Sequence, residues 1–161
     1  LQLANLAAIM ANRGHYYTPH LVREIREEPS FSPRVERHQV MVDPEHFEVI
    51  VEGMYQAVNA PAGSGATARL AAIPDVTLCG KTGTAQNPHG EDNSVFICFA
   101  PKDNPKIAVA VYIEQGGFGA SQAAPVASLL VEKYLTGQIH PSRQWLYERT
   151  LEQDLLTRHL K

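Results

Sequence analysis

The sequence predicts an α+β fold in which helices pack on an antiparallel sheet, and three observations lead to it. Three β-prone segments, Thr77 to Gln86, Ser94 to Ala100 and Ile107 to Ile113, are separated only by the turn-rich runs Asn87-Pro88-His89-Gly90 and Pro101-Lys102-Asp103-Asn104-Pro105. Loops this short join antiparallel neighbours. Ahead of them Phe47, Ile50, Val51, Met54 and Val58 recur at helical spacing, and behind them Ser121 to Tyr134 carries a second helical pattern. Helices set before and after a strand meander, instead of alternating with its strands, mark the α+β class.

Taken in order, Leu1 to about Asn12 reads as a helix ended by Gly14. Apolar residues occupy nearly its whole circumference and no capping residue precedes it. It is therefore expected to be buried, and the chain to begin inside an element of a larger domain. Tyr16 to Ile25 alternates loosely and reads as a strand, followed by a loop with Pro29 and Pro33 and a short stretch from Gln39 to Val42. Asp43-Pro44-Glu45 combines a capping residue, Pro at the first helical position and a first-turn acid. The helix it starts stops near Asn59-Ala60-Pro61. Gly63-Ser64-Gly65 makes a flexible turn, and Ala66 to Ala72 a short helix. After the strands, Gly116-Gly117-Phe118-Gly119 leads into the helix Ser121 to Tyr134, closed by Gly137. Its face of Val126, Leu129, Leu130 and Leu135 is expected on the sheet. Pro141 to Lys161 is polar and helix-prone, so residues 1–137 are assigned to the domain and 138–161 to a peripheral tail.

Composition narrows the function classes. The 161 residues suffice for one buried core. The formal charge of -3 comes from 14 basic and 17 acidic residues scattered along the chain. Nucleic-acid binders instead show a clustered basic face, so no nucleic-acid partner is expected. No apolar run approaches the roughly 20 residues of a membrane span, and Leu1-Gln2-Leu3-Ala4-Asn5 has no basic region of a signal peptide. Cys79 and Cys98 lack a C-x-x-C spacing, and the seven His contain no i, i+4 pair. No metal or other cofactor is assigned. Two readings of the cysteines stand, small apolar strand residues or a disulfide, and the first is preferred because free Cys packs as a small apolar residue.

Chemistry concentrates in Cys79-Gly80-Lys81-Thr82-Gly83-Thr84-Ala85-Gln86. In an extended segment Thr82 and Thr84 present two hydroxyls on one side, expected to face away from the helix Ser121 to Tyr134. Gly83 between them lets a ligand or backbone approach, and Lys81 adds a positive charge. Two neutral donors, one cation and an open strand edge suit a carboxylate-bearing peptide. On composition alone, a solvent-facing turn with Lys and Thr by chance weighs equally. Gly80-Lys81-Thr82 is not the end of a phosphate-binding P-loop, because Asp75 stands where that pattern needs its first glycine and Gly83 and Pro88 interrupt the required helix. Gly116 to Gly119 likewise fails G-x-G-x-x-G, since position 122 is Gln, and reads as a turn closing the third strand.

Gly80 to Gln86 resembles the third signature motif of penicillin-binding proteins, whose set is Ser-x-x-Lys, Ser-x-Asn and Lys-Thr-Gly. Leu3 to Gly14 is similar to the helix that follows the second motif in class B transpeptidases. Ser94 to Tyr112 resembles the paired strands after the lysine motif, and Glu114 to Gly119 their closing loop. The resemblance covers about Leu1 to Gly137 and is nearest the elongation group called penicillin-binding protein 2. It implies a partial transpeptidase fold of the penicillin-binding and serine β-lactamase kind. It further implies a D,D-transpeptidase that joins peptidoglycan stem peptides through a serine acyl-enzyme and is acylated by β-lactams, anchored in the cytoplasmic membrane, by a segment not in this chain, with its catalytic domain outside. By the resemblance Lys81 and Thr84 belong to the catalytic machinery, and Thr82, Gly83, Thr84 and Ala85 to substrate binding. The hydroxyls of Thr82 and Thr84 would hold the terminal carboxylate, and the Thr84 N–H would form half of the oxyanion hole.

One departure governs what this chain can do alone. The serines stand at 30, 32, 64, 94, 121, 128 and 142, and none has Lys three residues on or Asn two residues on. Nucleophile, base lysine and second motif are expected upstream of Leu1, so the chain by itself is expected to be inactive and, with bare apolar surface, to self-associate. A serine β-lactamase or β-lactam-sensor domain shares the third motif and differs upstream. A non-catalytic interaction module on the same fold is disfavoured, because a purely structural strand needs none of Lys81, Thr82, Gly83 and Thr84 together.

Overall fold

The computed structural model describes residues 1–28, 30–33 and 35–154. Pro29, and residues 155–161 of the expected tail, lie outside the described residues. Among the described residues four helices, α1 (Gln2–Ala11), α2 (Pro44–Asn59), α3 (Ala123–Thr136) and α4 (Gln144–Glu152), accompany five strands. Strands β1 (His15–Tyr17) and β2 (Arg37–Gln39) form a small antiparallel pair, while β3 (Cys79–Ala85), β4 (Asn93–Ala100) and β5 (Ile107–Ile113) form the main sheet in the order β3-β4-β5. All pairings are antiparallel. The α+β expectation and the three-strand meander hold, and the lysine-bearing strand β3 is an edge.

The register sorts the side chains of the sheet onto two faces. Phe96, Cys98 and Ala100 of β4 point into a cluster with Ala123, Ala124, Ala127 and Val131 around α3. Phe99, with Cys79 beside it across the ladder, points the other way, into a cluster with Ala11, Val51 and Met54 of α1 and α2. Phe96 and Phe99 are fully buried on opposite faces, and each contributes about 1.5–3 kcal/mol over leaving it in water. Cys79 and Cys98 also lie on opposite faces, both as free thiols, which removes the disulfide reading. Burial pushes each thiol up to about 12.

Several expectations need correction. The strand from Tyr16 to Ile25 shrinks to three residues, His15–Tyr17, because β2 supplies only three residues to pair with it. The short helix at Ala66 to Ala72 is a single 3-10 turn, Arg69–Ala71. Asp43 does stand at the N-cap of α2, but its side chain makes no capping bond. In α1 only Ala7 and Ala11 are buried, and Leu1, Leu3 and Leu6 remain exposed; nothing among the described residues covers that face.

The packed face of α3 is also rotated from the expected one. Ala124, Ala127 and Val131 meet the sheet with Leu135 beside them, whereas Leu130 is 54% exposed. Small alanines let the helix approach β4 and β5 closely, and the larger Val126, Leu129 and Leu130 line a 440 Å³ cleft toward α4. The tail is therefore no loose appendage. Arg143 donates to Glu132 Oε2 at 2.8 Å and to Ser128 Oγ at 2.6 Å, and the His140 N–H donates to Glu132 Oε1 at 2.9 Å. This ion pair is buried, as is Leu146 of α4. Burial lowers the Arg143 pKa, against the pull of Glu132.

Candidate functional site

Strand β3 runs from the core out to the surface. Cys79 and Gly80 are buried, and the strand then emerges so that Lys81, Thr84 and Ala85 are exposed and Thr82 and Gly83 half-buried. Gly80 is required where the strand passes the core, because a Cβ there would collide with the Phe96 ring. Among the described residues no strand pairs with the outer side of β3. Alternate residues of an edge strand turn their N–H and C=O outward, available to an added peptide strand.

Across the ladder Thr82 stands opposite Phe96, Gly83 opposite Val95, and Thr84 opposite Ser94. Thr82 and Thr84 share one face, as the alternation predicts. That face is the one α3 occupies, which corrects the expectation that both threonines point away from α3. The physical reason is register: Phe96 faces α3, so its cross-strand partner does too. The hydroxyls stay accessible because α3 packs on β4 and β5 and stops short of the outer strand.

Lys81 approaches from the opposite face. It lines a groove of about 670 Å³ between α1, α2 and the sheet, with Leu6, Met10, Ile50, Met54 and Ile97. Its ammonium wraps round the edge to the Thr82 carbonyl at 2.7 Å. Cation and hydroxyls thus flank the edge from its two faces instead of sharing one. The sequence reading missed Thr67, whose Oγ1 accepts from Thr82 Oγ1 at 3.3 Å. It sits in the same stretch as the Gly63-Ser64-Gly65 turn beside the groove, and no spacing rule links it to position 82. A site of this composition can hold an anionic peptide terminus by charge, hydroxyl donors and main-chain pairing together. It holds no group able to act as an activated nucleophile.

The chain belongs to the penicillin-binding protein transpeptidase family: the family model described as the penicillin binding protein transpeptidase domain matches residues 1–132. Among curated relatives, the peptidoglycan D,D-transpeptidase MrdA of Haemophilus influenzae is 34% identical over 86% of this chain and 24% of its own length. PbpA of Mycobacterium tuberculosis, also a peptidoglycan D,D-transpeptidase, is 33% identical over 84% of this chain and 29% of its own. Among solved structures, Pseudomonas aeruginosa PBP2 in complex with WCK 5153 superposes with a TM-score of 0.67 at 34% identity, covering 88% of this chain and 31% of that one. The imipenem acyl-enzyme of M. tuberculosis penicillin-binding protein A gives 0.66 at 30% identity, covering 83% and 30%. The chain thus spans about a quarter of the length of these curated relatives. No helix among the described residues is long and apolar enough to cross a membrane.

Proposed function

We propose that this chain is the C-terminal portion of a peptidoglycan D,D-transpeptidase and that β3 is its substrate-binding strand. The observation that carries the reading is an intact Lys81-Thr82-Gly83-Thr84 on an unpaired sheet edge. In the reaction a serine oxygen, supplied from outside these residues, attacks an amide carbonyl. A C–O bond forms, the C–N bond breaks, and the departing amine carries off a proton, leaving an ester. Thr82 and Thr84 hydroxyls hold the donor's terminal carboxylate with Lys81 nearby, Gly83 and Ala85 admit the peptide backbone, and the Thr84 N–H meets the developing oxyanion. One such donor is worth on the order of 3 kcal/mol in the transition state. β-Lactams, as carboxylate-bearing acyl donors, occupy the same strand. The stretch after the domain, from residue 138, serves as a tail held to α3 through Arg143, and the full-length protein works outside the cytoplasmic membrane in a cell-wall synthesis complex.

The test is acylation of the full-length protein by a fluorescent penicillin, read beside the thermal midpoint. Lys81→Ala is expected to slow acylation on the order of a hundredfold, and Thr84→Val roughly tenfold, both with the fold retained. The isolated chain should gain no covalent adduct by intact mass. Unchanged acylation in folded Lys81→Ala, or a stoichiometric adduct on the isolated chain, refutes the assignment. The exposed Leu6, Val49 and Ile50 around the Lys81 groove make the isolated chain self-associate as well. Light scattering should show mass rising with concentration; a monodisperse monomer at high concentration contradicts this.

A further inference from the structure

The loop between β5 and α3 comes close to the back of β3 at Gly83. A Cβ on Gly119 would collide with the carbonyl oxygens of Gly83 and Val95 and lie 3.2 Å from the Gly83 nitrogen. Only a glycine lets the loop rest against the rung of the ladder formed by Gly83 and Val95. One rung further, Ser94 stands opposite Thr84 and is fully buried. Its hydroxyl donates to the Phe118 carbonyl at 3.1 Å and accepts the Ala123 N–H at 3.0 Å, the first residue of α3. The same loop is stitched to the start of β4 and the turn before it: the Gln115 N–H donates to Asn93 Oδ1 at 2.9 Å and the Gly117 N–H to the Asp92 carbonyl at 2.7 Å.

We infer that Gly119 and Ser94 are positioning residues for the Gly83–Thr84 backbone: together they back the edge strand from the α3 side, so that its outward N–H keeps a fixed direction at the reacting carbonyl. This rests on β3 being the substrate-binding strand. An edge strand has ladder bonds on one side only, so a rung can tilt unless something behind it resists. Oxyanion donors act only when held to within about 0.5 Å of the productive position, and a displacement near 1 Å costs about a hundredfold in rate. The pattern of glycines at 116, 117 and 119, which matches no phosphate-binding loop, is accounted for at 119 by this contact.

The experiment compares Gly119→Ala, Ser94→Ala and a control, Gly137→Ala, in the full-length protein. Gly137 caps α3 at φ 79° with open space around its Cβ position, so its substitution strains the fold far from β3. Measured are the acylation rate at saturating β-lactam, separately from its apparent binding constant, and peptide-resolved amide exchange across Gly83–Thr84, all below each variant's melting range. Gly119→Ala is expected to slow acylation about a hundredfold and Ser94→Ala about tenfold, with faster exchange at Gly83–Thr84. Gly137→Ala, though destabilised, should leave both unchanged. If Gly119→Ala proves too unstable to purify, Ser94→Ala carries the comparison. Acylation that falls only with the folded fraction, as in the control, overturns the inference. Should Lys81→Ala also acylate at the normal rate, the reading of β3 itself fails; if Lys81→Ala is slow and Gly119→Ala normal, only the positioning role does.

Discussion

Two polar clusters, one between α3 and the tail and one on β3, are built from similar parts and end in opposite states. At the tail, a cation (Arg143), a hydroxyl (Ser128) and a carboxylate (Glu132) are buried and satisfy one another at 2.6–2.8 Å, with the His140 N–H completing the carboxylate. On β3, a cation (Lys81) and two hydroxyls (Thr82, Thr84) lie at an exposed edge, where among the described residues Lys81 bonds a neighbouring carbonyl and Thr82 bonds Thr67. A polar cluster closed on itself and sealed from water holds structure together. One left open, on a strand with unused main-chain groups, is what the proposed substrate-binding role requires.

The sharpest way to break this contrast is to delete one member from each cluster. Glu132→Ala leaves the Arg143 guanidinium buried without its counter-ion, which costs about 3–5 kcal/mol, a fall of about 10 °C for a chain of this size. Lys81→Ala should stay within about 0.5 kcal/mol of the parent, as surface substitutions do. Denaturant unfolding of both variants checks this. Comparable losses would mean that Lys81 also braces the fold. Replacing both partners, as Glu132→Leu with Arg143→Met, should recover most of the loss and settle within about 1–2 kcal/mol of the parent, because no charge is then stranded. The residue of the cost belongs to the His140 N–H, which loses its acceptor.

The same contrast explains what the sequence could and could not reveal. Lys81, Thr82, Gly83 and Thr84 are contiguous, and contiguity on a strand fixes their alternation, so the strand and its edge position were readable in advance. The face on which the threonines lie was not, since it depends on which side of β4 carries Phe96, a matter of packing. Glu132 and Arg143 are eleven residues apart, on different elements, and no periodicity joins them; one Arg among several in a polar tail looks like surface. The packed side of α3 was misread because bulk was taken as the guide to burial. Alanine wins that position where close approach to a sheet gains more contact than large side chains can. Gly119 was read as turn flexibility, though what demands it is a collision with another strand's backbone.

A subtler test sets exposed ion pairs against the buried one. On α2, Glu48 accepts from Arg13 at 2.9 Å, and Glu52 accepts from Lys102 at 2.6 Å. Lys102 also lies 4.8 Å from the centre of the Tyr55 ring. The Arg13 hydrogen bond holds the Glu48 carboxyl below its ordinary 4.5, and the Lys102 hydrogen bond does the same for Glu52. A carboxylate with a depressed folded-state value stabilises above its unfolded value and loses that contribution as pH falls through the folded one. Lys102 is raised above 10.5, chiefly by the hydrogen bond to Glu52, so its share persists to alkaline pH and fades above that value. Both pairs face solvent, where salt screens them. Glu52→Gln should therefore lower the thermal midpoint slightly at pH 7 in low salt, and the gap should narrow in 1 M NaCl and close as pH drops below 4.5. The Glu132→Ala deficit should persist in the same salt, because the buried pair is shielded from counter-ions. A salt-insensitive Glu52→Gln gap would show that this carboxylate acts through packing against α2 rather than through charge.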